Sequence, residues 1–135
     1  MDMNLIGRFR SNYFAVKDRA AFEEWCQRLD LRLLVRDDDP NLVGFLNDGN
    51  EGGIPWTQTS VAEEDENDID FIGELGAFLI GGQVAIVIEI AYEGYRYLGG
   101  VAYAINSKGE QKHIDLADIM TLAETLGEHV TKCEY

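Results

Sequence analysis

The chain is expected to fold as one α+β domain, with an antiparallel sheet around a long central β-hairpin and about three helices. Three observations lead there. Strand-like and helix-like segments follow one another without a repeating βα unit, which is the order of an antiparallel sheet with helices set on it. Residues 83–92 and 95–106 are rich in Val, Ile, Tyr and Ala and flank Glu93-Gly94, a hairpin signal. The 135 residues are 46% hydrophobic, with six Phe, six Tyr and two Trp, enough to bury a core without metal or disulfide staples. Neither an internal repeat nor a linker divides residues 1–135.

In chain order, residues 1–11 read as a loose, flexible arm carrying Arg8 and Arg10, and residues 12–16 as a short strand. Asp18 is placed to cap a helix over 18–29, in which Phe22, Trp25, Cys26 and Leu29 fall on one apolar face. Residues 31–36 form a strand, Asp37-Asp38-Asp39-Pro40 the turn that ends it, and residues 42–46 the returning strand. Residues 47–67 form an acidic loop region that contains Trp56. A second helix begins between Asn67 and Asp70, with Phe71, Ile72, Leu75, Phe78 and Leu79 as its stripe and Gly81-Gly82 at its end.

The hairpin follows. With Tyr92 opposite Tyr95, its core face is Val84, Ile86, Ile88, Ile90 and Tyr92 against Tyr95, Tyr97, Gly99, Val101 and Tyr103, and Gly99-Gly100 is a place for a bulge. After a turn over 107–110 and a strand over 111–114, Asp115 and Asp118 have capping-box spacing. The third helix buries Leu116, Ile119, Met120, Ala123 and Leu126, and residues 130–134 add an edge strand.

Charge is the most unusual property. The formal net charge is −14, and residues 37–95 hold fourteen acids and no Lys or Arg, while the flanks balance. Six carboxylates fall in the eight residues 63–70. Such a chain repels nucleic acid and anionic membrane and favours cationic partners. The cysteines, Cys26 and Cys133, are too few for a secreted disulfide framework, and residues 1–8 do not form a signal peptide. A cytoplasmic chain is expected.

Catalytic and metal patterns are weak. His113 and His129 have no spacing-matched partner, and Ser11, Ser60 and Ser107 are outside any Gly-x-Ser-x-Gly setting. A phosphate-binding Gly-rich loop followed by Lys-Ser or Lys-Thr does not occur. Asp48-Gly49-Asn50 begins like a calcium loop, but its twelfth position is Thr59 in place of Glu. No enzyme activity, metal or cofactor is expected.

The anion itself is therefore the candidate site. In an extended stretch Glu64, Glu66, Asp68 and Asp70 share one face at roughly 6.6 Å spacing, against one charge per about 3.4 Å on each DNA strand. Three segments, expected to meet on one face, make up the candidate partner-binding surface. They are Asp37, Asp38 and Asp39; Asp48, Glu51 and Trp56; and Glu63, Glu64, Asp65, Glu66, Asp68 and Asp70.

Several stretches carry a resemblance. Residues 12–18 (Asn-Tyr-Phe-Ala-Val-Lys-Asp) with Phe22 and Trp25, and then Gly52-Gly53-Ile54-Pro55, resemble small acidic proteins carried on phages and plasmids. Residues 97–100, 104–110 and 114–119, with the closing Val130-Thr131 and Glu134-Tyr135, resemble them too. By type, the chain is similar to anti-CRISPR and antirestriction proteins, many of which imitate DNA. That likeness implies an inhibitor bound to the basic surface of a nucleic-acid-binding protein or CRISPR effector, without direct contact to nucleic acid or membrane. The alternative is a small protein-binding or immunity-type module whose acidity serves solubility.

Overall fold

The computed structural model describes residues 6–47, 57–59, 66–95 and 97–131. Its elements run β1 (Ile6–Ser11), α1 (Arg19–Arg28), β2 (Leu31–Val35), β3 (Val43–Asn47), β4 (Thr57–Thr59), β5 (Glu66–Asp68), α2 (Phe71–Phe78), β6 (Val84–Glu93), β7 (Tyr97–Asn106) and β8 (Gln111–Asp115). A 3₁₀ turn (Leu116–Asp118) and α3 (Ile119–Ala123) follow. Six strands form one antiparallel sheet in the order β2-β3-β1-β6-β7-β8, and β4 pairs with β5 alone. The α+β class and the central hairpin are as expected.

Local chemistry sets the helix starts. Asp18 Oδ1 accepts from Ala21 N at 3.1 Å, satisfying one of the free first-turn donors of α1. Asp70 does the same for α2 through Gly73 N. The α1 stripe buries Phe22, Trp25 and Cys26, and the α2 stripe buries Phe71, Ile72 and Leu75. Both stripes meet one face of the sheet. Trp25 stacks on Phe71 at 5.1 Å between centroids, and Phe45 stands edge-on to Phe71 at 5.7 Å. Such pairs contribute about 0.5–1.5 kcal/mol each beyond their area.

Residues 6–11, expected as a loose arm, are instead a strand in the middle of the sheet. Gly7, Phe9 and Ser11 face inward and Arg8 and Arg10 outward, a period of two that two small inward residues conceal. Here β1 pairs with β6 along its whole length, but with β3 only at Arg10 and Leu46. Side chains complete the ladder where the strands part. Asn47 Oδ1 accepts from Phe9 N at 2.7 Å while its amide donates to Gly7 O. Ser11 Oγ accepts from Phe45 N at 2.9 Å and donates to Asn12 O at 2.7 Å. Beyond the end of β1, Asn12 bridges to β6 in the same manner, accepting from Ile86 N and donating to Val84 O. The strand expected over 12–16 reduces to isolated bridges at Phe14 and Val16.

The hairpin register corrects the expected core. Glu93 pairs with Tyr97, so the turn spans residues 94–96, not a two-residue Glu93-Gly94. Relative to Tyr92 opposite Tyr95, pairing slips by three residues, an odd number that turns β6 over while β7 keeps its expected face. Ala85 and Val87 are buried, whereas Val84, Ile86, Ile88, Ile90 and Tyr92 are exposed on the side away from the helices. Small inward residues suit the space, because α2 lies close above the hairpin; a Cβ on Gly76 would stand 2.6 Å from Ile105 Cγ1. Pairing continues unbroken through Gly99 and Gly100, so the expected bulge does not form.

The third helix is also corrected. Its capping box forms, with Asp115 Oδ1 accepting from Ala117 N and Asp118 Oδ2 from Asp115 N. The stripe expected to be buried is not. Leu116, Ile119 and Leu126 are exposed, because the helix leaves from β8, an edge strand whose five residues are all exposed. Residues 130–131 are not a strand, and 132–134 lie outside the described residues.

Candidate functional site

The Asp37–Asp39 turn joins β2 to β3 and is tightly hydrogen-bonded. Asp39 Oδ1 accepts from Asn41 N at 3.1 Å, Asp39 O accepts from Leu42 N, and Arg36 N donates to Leu42 O. Asp37 and Asp38 are exposed, Asp39 is half-buried, and Arg36 Nε pairs with Asp38 Oδ1 at 2.6 Å. That exposed pair contributes at most about 1 kcal/mol, but it sets a cation beside one of the three carboxylates.

Asp70 serves α2. Its carboxylate folds over the helix start against Gly73, where any Cβ would collide with it. Glu66 and Asp68 lie on β5, paired with Thr59 and Thr57. Asp48, Glu51, Trp56, Glu63, Glu64 and Asp65 lie outside the described residues.

The turn and α2 both meet α1. Arg19, at its start, donates to Pro40 O beside the turn at 3.0 Å. Glu74, one helical turn after Asp70, accepts from Trp25 Nε1 at 2.8 Å and lies 3.8 Å from Arg28 at the other end. The ten-residue helix is about 15 Å long. The turn and Glu74 thus meet α1 at different points along its length.

Two further arrangements were not anticipated. On the helix side of the distal hairpin, half-buried Tyr103 faces Glu89 and Asp115, and its ring lies 6.0 Å from that of His113. Burial first, then those two carboxylates, pushes its phenol pKa up. On the other side of the sheet lies the exposed apolar face of β6. The signal for it was the run of residues 84–88, apolar at every position, where a strand covered on one side only would alternate.

Among the described residues, no group of three or more His, Cys, Asp and Glu side chains is placed to hold a metal ion, and no helix is long and apolar enough to cross a membrane. Comparison of the chain with protein-family models, with curated proteins and with solved structures returns no match.

Proposed function

We propose that this protein acts in the cytoplasm by binding another protein, as an acidic inhibitor that occupies the nucleic-acid-binding surface of a defence complex, in the manner of anti-CRISPR or antirestriction proteins that mimic DNA. The observation that carries the reading is the segregation of charge, fourteen acids without one base across residues 37–95. Exposure of Asp37 and Asp38 supports it.

Electrostatic steering would raise the association rate, and salt would lower the affinity. The test is a salt titration of binding to a CRISPR effector or restriction complex. Affinity should fall steeply with salt, and fall again when Glu63, Glu64, Asp65 and Glu66 become Gln or Asn. Binding indifferent to both changes removes the mimic reading. One specific observation favours a second reading, a protein-binding module whose acidity serves solubility. Several acids already have structural tasks, since Asp18, Asp70 and Asp115 cap helices and Asp38 pairs with Arg36.

A further inference from the structure

The side of the sheet turned away from α1 and α2 carries an apolar patch at its centre. Ile86, Ile88 and Ile90 are 40%, 53% and 45% exposed, and Leu98 and Ile114 on the neighbouring strands are 67% and 68% exposed. Strands apolar on both faces are characteristic of sheets covered on both sides. The described strand residues on this face include Arg8, Arg10, Arg32 and Lys112 and not one Asp or Glu, although the whole chain carries −14. Whatever covers the face must be apolar in the middle and compatible with cations at the border.

The same chain displays such an element. Leu116, Ile119 and Leu122 are 60%, 59% and 60% exposed, and residues 116–131 include Asp118, Glu124 and Glu128 but no Lys or Arg. Leu116 already reaches the sheet, its Cδ1 lying 3.0 Å from where a Cβ on Gly100 would stand. Beyond it, the Asp115–Asp118 capping box fixes how the chain leaves β8, and α3 stands off its own sheet with its apolar residues exposed.

We infer that a second copy of this chain covers the face, in a two-fold dimer in which α3 of each protomer lies on the outer sheet face of the other. A two-fold axis applies each complementary contact twice, apolar helix on apolar strands and acidic helix border against Arg8 and Arg10. The area is sufficient. At about 4.8 Å between strands and 3.4 Å per residue, the faces of β1, β6, β7 and β8 present roughly 500 Å² per protomer before α3 is added. Two such faces reach the approximately 1,000 Å² that a specific interface needs. The dimer uses neither Asp37–Asp39 nor residues 63–70, so it goes beyond the proposed function and stands independently of it.

Sedimentation equilibrium of the full chain across the micromolar range tests this inference. The expected mass is twice the 15.2 kDa of one chain. Ile88→Asp, on the sheet face, and Leu122→Asp, on α3, should each return the single-chain mass with an unchanged far-ultraviolet circular dichroism spectrum. Should either variant unfold, Ile88→Ser and Leu122→Ser take their place, and each should weaken the dimer at least about tenfold, as for a central interface residue. Gln and Asn at positions 63–66, which should weaken binding to a defence complex, should leave the dimer intact. A wild-type chain that stays at the single-chain mass overturns the inference, as does a dimer that survives substitution at both Ile88 and Leu122.

Discussion

Ser11→Ala should destabilise the protein by about 2 kcal/mol, far more than loss of one hydroxyl from a surface. Ser11 is 2% exposed in the central strand β1, and its Oγ is the acceptor for Phe45 N in a core position where Phe45 is fully buried. The neighbourhood is closed to water, since a Cβ on Gly44 would stand 2.8 Å from Ser11 Oγ and 2.6 Å from Asn12 O. Alanine leaves the Phe45 N–H without a partner in an apolar setting, which costs about 1–3 kcal/mol. For a domain of this size a loss near 2 kcal/mol lowers Tm by roughly 6–10 °C. Urea unfolding followed by far-ultraviolet circular dichroism, at equal chain concentration for both proteins, reads the change. A loss below about 0.5 kcal/mol would refute the reasoning, because it would mean that Phe45 N has another acceptor or that β1 is not held against β3.

Other consequences follow from the same packing. Gly73→Ala should bring none of the roughly 1 kcal/mol that alanine's helix propensity offers, because its Cβ displaces the Asp70 cap, a loss of about the same size; thermal unfolding would show a stabilised variant if the cap were unimportant. Val87→Ala should cost more than Ile88→Ala, roughly 2 kcal/mol against about 1 or less, when both are measured in dilute urea titrations, although isoleucine loses more atoms. The reverse order would return the outer face of β6 to the core. Burial, with a smaller contribution from Glu23, pushes the Cys26 thiol up to about 12. Native protein should therefore leave Cys26 unmodified by a thiol reagent that labels it in urea. Because the folded state holds the proton more tightly, the Cys26 contribution is fully present below the unfolded-state value near 9 and is lost as pH rises toward 12. The difference in unfolding free energy between wild type and Cys26→Ala should narrow across that window, by about 1.4 kcal/mol per pH unit at most. A constant difference would refute the assignment.

Much of the fold was legible because its causes are local. Asp18, Asp70 and Asp115 each accept from an amide two or three residues ahead, and such contacts can be read from spacing alone. The stripes Phe22, Trp25, Cys26 and Phe71, Ile72, Leu75 are equally local, fixed by the turn of a helix. The turn at Asp37–Pro40 and the second hairpin turn, where Asn106 Oδ1 accepts from Lys108 N and Glu110 N, follow from the same short-range chemistry. The candidate site was less legible. Its charge could be counted, but where the turn and α2 meet α1 is a matter of packing.

From residue order alone came the α+β class, the helix starts, the hairpin and the concentration of acid in one block, since each depends on neighbours within a few positions or on composition. Tertiary structure alone decided that residues 6–11 are the centre of the sheet, where Asn47 and Ser11, distant in sequence from one another, complete the ladder. It also decided which side of β6 is inside. Residues 84–88 are apolar on both sides, and farther along the strand Glu89 and Glu93 fall on the inward side, so hydrophobicity alone favours the wrong face. The choice fell to the turn length, which sets the register and puts Ala85 and Val87 inside, with α2 packed through Gly76 on Ile105, the partner of Ala85.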